Sequence, residues 1–288
     1  MEVSATKARR PATCLTATLH HLVIATPNPT SLAKFYRVAL RYEITERDGQ
    51  IFATGLDRQL LFVPGTAKTL QAAGFALPDR EELERLRRRI EACQWPYRDG
   101  ASPLLSDSIS VRDPDGTEFI FGLAEPEVTP TGEAQARLAR LQHVVMSSRD
   151  PERVVRFFID VLGFRLSDDV VDEQGGVRTS FLRCSHEHHS FAVFKASEDR
   201  FDHHCYETKD WNQIRDWCDH MAENNIPIQW GPGRHGPGNN LFMFVHDTDG
   251  NWVEISAELE VVSHERPVGR WPHEQRTLNS WGQGLLRS

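Results

Sequence analysis

No run of about 18 consecutive apolar residues occurs in this 288-residue chain, so a membrane-spanning helix is excluded. The opening stretch, MEVSATKARRPATCLTATLH, carries basic residues but no apolar core, and no secretory signal is expected. Cysteine is sparse: Cys14, Cys93, Cys184, Cys205 and Cys218 are an odd number, scattered, with no C-x-x-C pair. That disfavours a disulfide framework and points to reduced thiols in a cytoplasmic protein. An excess of positive charge is also missing. The net charge of −8 argues against general nucleic-acid binding, which needs a basic face against the phosphates. The one basic cluster, ERLRRRI near residue 87, lies in DREELERLRRRIEAC, where Glu and Arg alternate at helical spacing as on a solvated helix face. What the chain has in plenty is histidine: thirteen, most of them in the second half.

The length allows one large domain or two modest ones, and an internal repeat decides for two. LHHLVIATPNPTSLAKFYRVALRYEI from Leu19 aligns without a gap on LQHVVMSSRDPERVVRFFIDVLGFRL from Leu141. Each reads as a strand, a Pro-bearing turn, an amphipathic helix and another strand. His21 falls on His143, and Phe35-Tyr36 on Phe157-Phe158, aromatics whose helical spacing marks core packing. VRDPDGTEFIFGLAE from Val111 likewise matches VHDTDGNWVEISAE from Val245, each holding a D-x-D-G turn between two strands. The predicted organisation is an N-terminal extension (1–17), a module (18–125), a polar Pro-bearing linker (126–138), a second module (139–258) and a tail (259–288). Within each module one helix follows the first strand and a second lies mid-way. The expected class is α+β: two tandem modules of paired βαβββ units, each an open barrel-like sheet. The tail is too apolar at Trp271 and Trp281 to float free, and is expected to lean over a pocket or reach a neighbouring subunit.

The second module holds three candidate metal ligands on three strands: His143, His204 in RFDHHCYET, and Glu254 in NWVEIS. Strand alternation lets only one of His203 and His204 look inward. Two imidazoles and a carboxylate are the facial-triad composition, which suits Fe(II) and leaves positions open for substrate and O2; Mn(II) fits the same set, whereas zinc would more usually close to a tetrahedron. In the first module Glu254 aligns with Ile120 and the HH strand with QAAGFA, so no triad forms there. The ligands are therefore not required by the scaffold.

These residues carry a resemblance. The sequence is similar to the two-domain (type I) extradiol ring-cleaving dioxygenases of the vicinal oxygen chelate superfamily, the branch acting on catechols and dihydroxybiphenyls. FLRCSHEHHSFAV, DHHCYE and GRH at 233–235 resemble the stretches that carry that family's active-site histidines. The resemblance implies that the second residue of each HH pair faces the site, making His204 the ligand and His203 its outward neighbour. It implies Fe(II), O2 as co-substrate, a catechol-type substrate cut beside the diol, His189 as acid and base near O2, and His235 beside a substrate oxygen. Phe181 matches a pocket wall. Where the family usually carries a tyrosine ten positions before the metal glutamate stands Phe244, for which Tyr206 or His246 would have to compensate.

His186 and His188 are read as exposed loop residues, His20 and His21 as structural, His264 and His273 as surface groups. Association into a homo-oligomer is expected. The competing readings are another metalloenzyme of the superfamily (a hydroxyphenylpyruvate-dioxygenase-like oxygenase, an isomerase or a lyase) and a metal-free small-molecule-binding protein on the same fold.

Overall fold

A computed structural model describes residues 14–100, 102–125 and 139–286. The linker expected at 126–138 and the first thirteen residues of the N-terminal extension lie outside the described residues. The first module runs β1 (Thr18–Thr26), α1 (Pro29–Ala39), β2 (Glu43–Arg47), β3 (Gln50–Gly55), β4 (Arg58–Pro64), β5 (Thr69–Leu77), α2 (Arg80–Ala92), β6 (Tyr97–Asp99), β7 (Ser106–Arg112) and β8 (Glu118–Leu123). The second begins with β9 (Arg140–Ser148) and α3 (Pro151–Arg156), which a π-helical turn extends over Phe157–Leu162. It continues through β10 (Arg165–Val171), β11 (Val177–Arg183), β12 (Phe191–Lys195), β13 (Arg200–Thr208), α4 (Trp211–Glu223), β14 (Ile228–Arg234), β15 (Leu241–His246) and β16 (Trp252–Ala257). A short β17 (Gly269–Pro272) and α5 (Gln275–Leu278) follow in the tail.

The two sheets have one topology. The first is ordered β2-β3-β4-β1-β5-β8-β7-β6; the second, read from its other end, is β10-β11-β12-β9-β13-β16-β15-β14, with β17 added beside β10. Each is two βαβββ units joined where their first strands pair antiparallel, β1 with β5 and β9 with β13. Helix starts repeat as well. Asn28, Asp79, Asp150 and Asp210 each cap a helix by accepting a backbone N–H three residues on, and Pro29 and Pro151 occupy the first helical turn of their pair. The D-x-D-G turns close as hairpins. Asp113 Oδ1 accepts the N–H groups of Asp115 and Thr117, Asp247 Oδ1 those of Asp249 and Asn251, and Gly116 and Gly250 take the positive φ (93° and 78°) the turn demands.

The helices lie between the sheets, and this decides which face of each strand is core. Tyr36 of α1 stacks on His204 of β13, with ring centroids 5.9 Å apart, and Phe158 of the α3 extension meets Phe119 of β8 at 5.0 Å. Phe75 of β5 packs on Phe164 at 5.7 Å. The helix-facing sides of both sheets thus form one apolar interior spanning the modules. The opposite side of each sheet is a hollow, and the metal-site candidates have to be sought there.

Candidate metal centre and cavity

The hollow of the second sheet is a cavity lined by strands of the module and by residues of the tail. On its floor, His143 Nε2 and His203 Nε2 lie 3.2 and 3.3 Å from the same oxygen, Glu254 Oε2. All three side chains are buried. β13 is hydrogen-bonded to both β9 and β16, with Cys205 opposite His143 on one side and Glu254 on the other, so the three ligand-bearing strands are adjacent.

Two irregularities in the β9–β13 ladder shape the site. The register shifts between Phe201 and His203 and again between Cys205 and Tyr206, so Asp202 and Gln142 fall between the paired positions of the ladder. These two residues bond the imidazoles: His203 Nδ1–H donates to Asp202 Oδ1 (2.7 Å) and His143 Nδ1–H to Gln142 Oε1 (2.5 Å). Each bond commits Nδ1 as the donor, so that Nε2 is the atom each imidazole turns to Glu254 and would offer to an ion. The first module has the same two shifts, at His20 and Gln71, but carries His21, Ala72 and Ile120 where the second has His143, His203 and Glu254. The irregularities belong to the scaffold; the ligands belong to the second module.

Charge at the floor follows from these contacts. Burial pushes Glu254 up, but hydrogen bonds from His143, His203 and His235 outweigh it and hold the carboxyl well below its usual range. Burial likewise opposes protonation of His203, and the Asp202 and Glu254 carboxylates overcome it, so its pKa is raised; His143 is lowered by burial. Asn240 steadies the glutamate by donating Nδ2–H to Glu254 Oε1 at 3.3 Å. Cys205 Sγ also lies near, within 4.8 Å of ligand atoms of His143 and Glu254. Burial drives that thiol well above its ordinary pKa and it donates to Ser256 Oγ (3.2 Å), so it stays protonated and is a poor fourth ligand. Two imidazoles, which would give up their Nε2 protons to an ion, and one ionised carboxylate converge with one side open to the cavity, a donor set that fits a facial-triad ion such as Fe(II) or Mn(II).

A family model described as the Glyoxalase/Bleomycin resistance protein/Dioxygenase superfamily matches residues 140–255, the module with this site. Among curated relatives, Metapyrocatechase 2 of Cupriavidus necator is 28% identical over 196 residues, covering 59% of this chain and 59% of its own length. The iron-dependent extradiol dioxygenase of Rhodococcus jostii (strain RHA1) is 26% identical over 245 residues, covering 78% and 81%. The chain therefore spans about three-fifths of the first relative's length and four-fifths of the second's. The chain is thus similar to two-domain extradiol dioxygenases, and the superfamily model falls on its second module. Homoprotocatechuate 2,3-dioxygenase of Arthrobacter globiformis superposes with a TM-score of 0.81 at 22% identity, over 96% of this chain and 92% of that one. The Brevibacterium fuscum protein in complex with 3,4-dihydroxyphenylacetate gives 0.82 at 21%, over 97% and 93%. At such identities these two likenesses speak for the fold.

Several of the expected site residues lie around this cavity. His143 and Glu254 meet on the cavity floor, and His189, His235, Phe181 and Phe244 line the walls. His189 sits 4.3 Å from the His143 ring, 5.0 Å from Phe181, and is held well below its usual pKa by burial. His235 donates Nδ1–H to Leu278 O in the tail (2.5 Å) and brings Nε2 to 3.6 Å from Glu254 Oε1.

Three expectations are corrected. His204 points to the shared interior: its Nε2 meets the Tyr36 hydroxyl at 3.1 Å, that hydroxyl donates to Asp247 Oδ2 at 3.1 Å, and burial pushes its pKa down to about 3. His203 is the inward member of the pair. Tyr206, two residues on and on the face of His204, is buried against Tyr42, whose hydroxyl donates to its own at 3.1 Å, so it cannot serve a substrate. His246 packs edge-on against Trp252 at 4.1 Å and does not line the cavity, leaving Phe244 without a polar stand-in.

His188 also departs from expectation, being fully buried with Nε2 3.0 Å from Asp168 Oδ2 and Nδ1 3.0 Å from His189 Nδ1; His186 is exposed. His21 is buried and structural as expected, its Nε2 3.3 Å from Ser102 Oγ. Sequence reasoning missed Gln142, Asp202 and Asn240, and left the tail's seat open between a pocket and a neighbouring subunit. The tail is pinned across the mouth: Trp230 Nε1–H donates to Gln283 O (3.0 Å), Trp271 Nε1–H to Asp168 Oδ2 (2.7 Å), and Leu278 and Leu285 line the cavity. A polar residue directly before each inward histidine was the available signal for Gln142 and Asp202.

Proposed function

We propose that the chain is an Fe(II)-dependent extradiol dioxygenase that opens the ring of a catechol-type substrate beside the diol, with both atoms of O2 entering the product. The observation that carries the reading is the convergence of His143 Nε2 and His203 Nε2 on Glu254 Oε2 beneath a cavity walled by aromatics and two further histidines. His143, His203 and Glu254 would hold the ion, whose charge would favour the ionised diol and whose open side would let substrate and O2 meet in one place.

The remaining work falls to the chain. His235, its Nδ1 proton committed to Leu278 O, presents Nε2 to the cavity and is positioned to hold the proton of one substrate hydroxyl. His189 is kept neutral by burial and has its Nδ1 against His188, so its Nε2 is the atom free to accept a proton from the substrate and return it during turnover. Phe181, Phe194 and Phe244 exclude water and sandwich the ring. Phe244 has no hydroxyl, so proton handling rests on the two histidines alone.

Five cysteines without a disulfide support a reducing cytoplasmic setting. Among the described residues no helix is long and apolar enough to cross a membrane. Association into a homo-oligomer is part of the proposal and is read by light scattering.

The test is anaerobic loading with Fe(II) or, separately, Mn(II), followed by a panel of catechols and labelled O2. The expected result is one O2 consumed per catechol, a yellow ring-opened product and two labelled oxygens in it. Metal-loaded protein that consumes no O2 with any catechol overturns the reading; a higher rate with Mn(II) overturns the choice of iron.

A further inference from the structure

We infer that the substrate of this site is a catechol whose ring substituent is uncharged and apolar, and that carboxylate-bearing catechols are excluded; the inference rests on the dioxygenase reading above. The argument is one of charge. An ionised Glu254, a divalent ion and a catechol that has lost one proton sum to zero on the cavity floor. A carboxylate on the ring would add a buried negative charge, which a protein site tolerates only with a cation or several donors beside it.

The cavity offers no such cation and only a few neutral donors. Among the described residues that line it there is no lysine or arginine. Its wall beyond the ligands includes Phe181, Phe194, Trp230, Phe244, Leu278 and Leu285, with Thr179, Asn240 and Thr277 the uncharged polar residues. The donors near by are committed: Trp230 Nε1–H to Gln283 O at 3.0 Å, and Asn240 Nδ2–H to Glu254 Oε1 at 3.3 Å. The arginines that flank the mouth in sequence are committed too. Arg234 is paired with Glu258 at 2.7 Å, and Arg266 with Asp168 at 2.7 Å and Glu260 at 3.3 Å. His189 and His235 stand at the diol end and are occupied with its protons. An apolar substituent, by contrast, gains from burial against four aromatic rings and two leucines.

The test compares 3,4-dihydroxyphenylacetate with its uncharged isostere 4-isobutylcatechol, by calorimetric binding to Fe(II)-loaded protein without O2 and then by turnover in air. The isobutyl compound should bind roughly a hundredfold or more tighter, the scale of an uncompensated buried charge. Leu285→Arg, which puts a guanidinium at the mouth, should narrow that ratio at least about tenfold, whereas the uncharged Leu285→Gln should narrow it far less. Equal binding of the two catechols, tighter binding of the acid, or the same ratio in both variants overturns the inference. Selective binding of the isobutyl compound with no O2 consumed sustains the inference and removes the dioxygenase reading instead.

Discussion

Replacing His203 and His204 one at a time separates two adjacent side chains with different tasks. His203→Ala deletes an Nε2 that lies 3.3 Å from Glu254 Oε2 and leaves His143 and the glutamate as the remaining two proposed ligands. Iron affinity should fall by more than the 10–100-fold that the loss of an outer partner costs, since an inner ligand is gone. The His204 ring touches no part of the cavity. It is fully buried between Tyr36 and Phe201, with ring centroids at 5.9 and 5.7 Å, and shares one hydrogen bond with Tyr36. His204→Ala removes that packing and that bond, a loss of about 2–4 kcal/mol. For a chain of this size the melting temperature should drop by roughly 3–7 °C. Iron content after gel filtration and thermal unfolding by circular dichroism read the two effects separately. Iron retained by His203→Ala and lost from His204→Ala, at unchanged melting temperature in the latter, would refute the face assignment and the metal site built on it.

Other side chains give sharper single tests. Asn240→Ala should lower metal affinity about 10–100-fold, measured by competition with a chelator, because Glu254 Oε1 loses its donor. His189→Asn should keep its iron and lose about 10²–10⁴-fold in kcat, measured by O2 uptake; full activity would remove it from proton transfer. Glu207 tests a pH effect. Burial raises its pKa from 4.5 to about 7, so the folded state favours the protonated form. Its stabilising contribution is complete below pH 4.5 and is lost as pH rises through 7, worth about 3 kcal/mol in all. Glu207→Gln should therefore gain melting temperature over the parent at pH 8 and show no gain at pH 4.5; an equal difference at both would refute it.

The repeat made much of this fold legible. Gapless alignment placed His21 on His143, and the caps Asn28 and Asp150 sit at equivalent positions because the same loop geometry recurs. Glu254 against Ile120 located one ligand correctly. The HH pair misled because alternation says that one imidazole faces inward without saying which. The answer lay in the aligned strand. Tyr206 is equivalent to Phe75, and large aromatics at that position in both modules mark the core face, where His204 also stands. Ala72 and Gly74, equivalent to His203 and Cys205, are small and mark the hollow. The register shifts that free Gln142 and Asp202 leave no composition signal, because they arise from pairing between distant strands. The tail's part in the cavity was open for a similar reason: it follows neither a helical nor a strand period, and its seat depends on single contacts such as Trp271 with Asp168.

Tyr36 comes from the copy that has no metal ligands, yet it grips the neighbour of a metal ligand in the other. Drift in the silent half is therefore not free. A change at Tyr36 or Phe119 would loosen the backing of the opposite sheet, and with it the aim of His203. Once duplicated, such a chain could let one half forget its chemistry but could never shed that half, because the surviving site leans on its sibling's side chains for alignment.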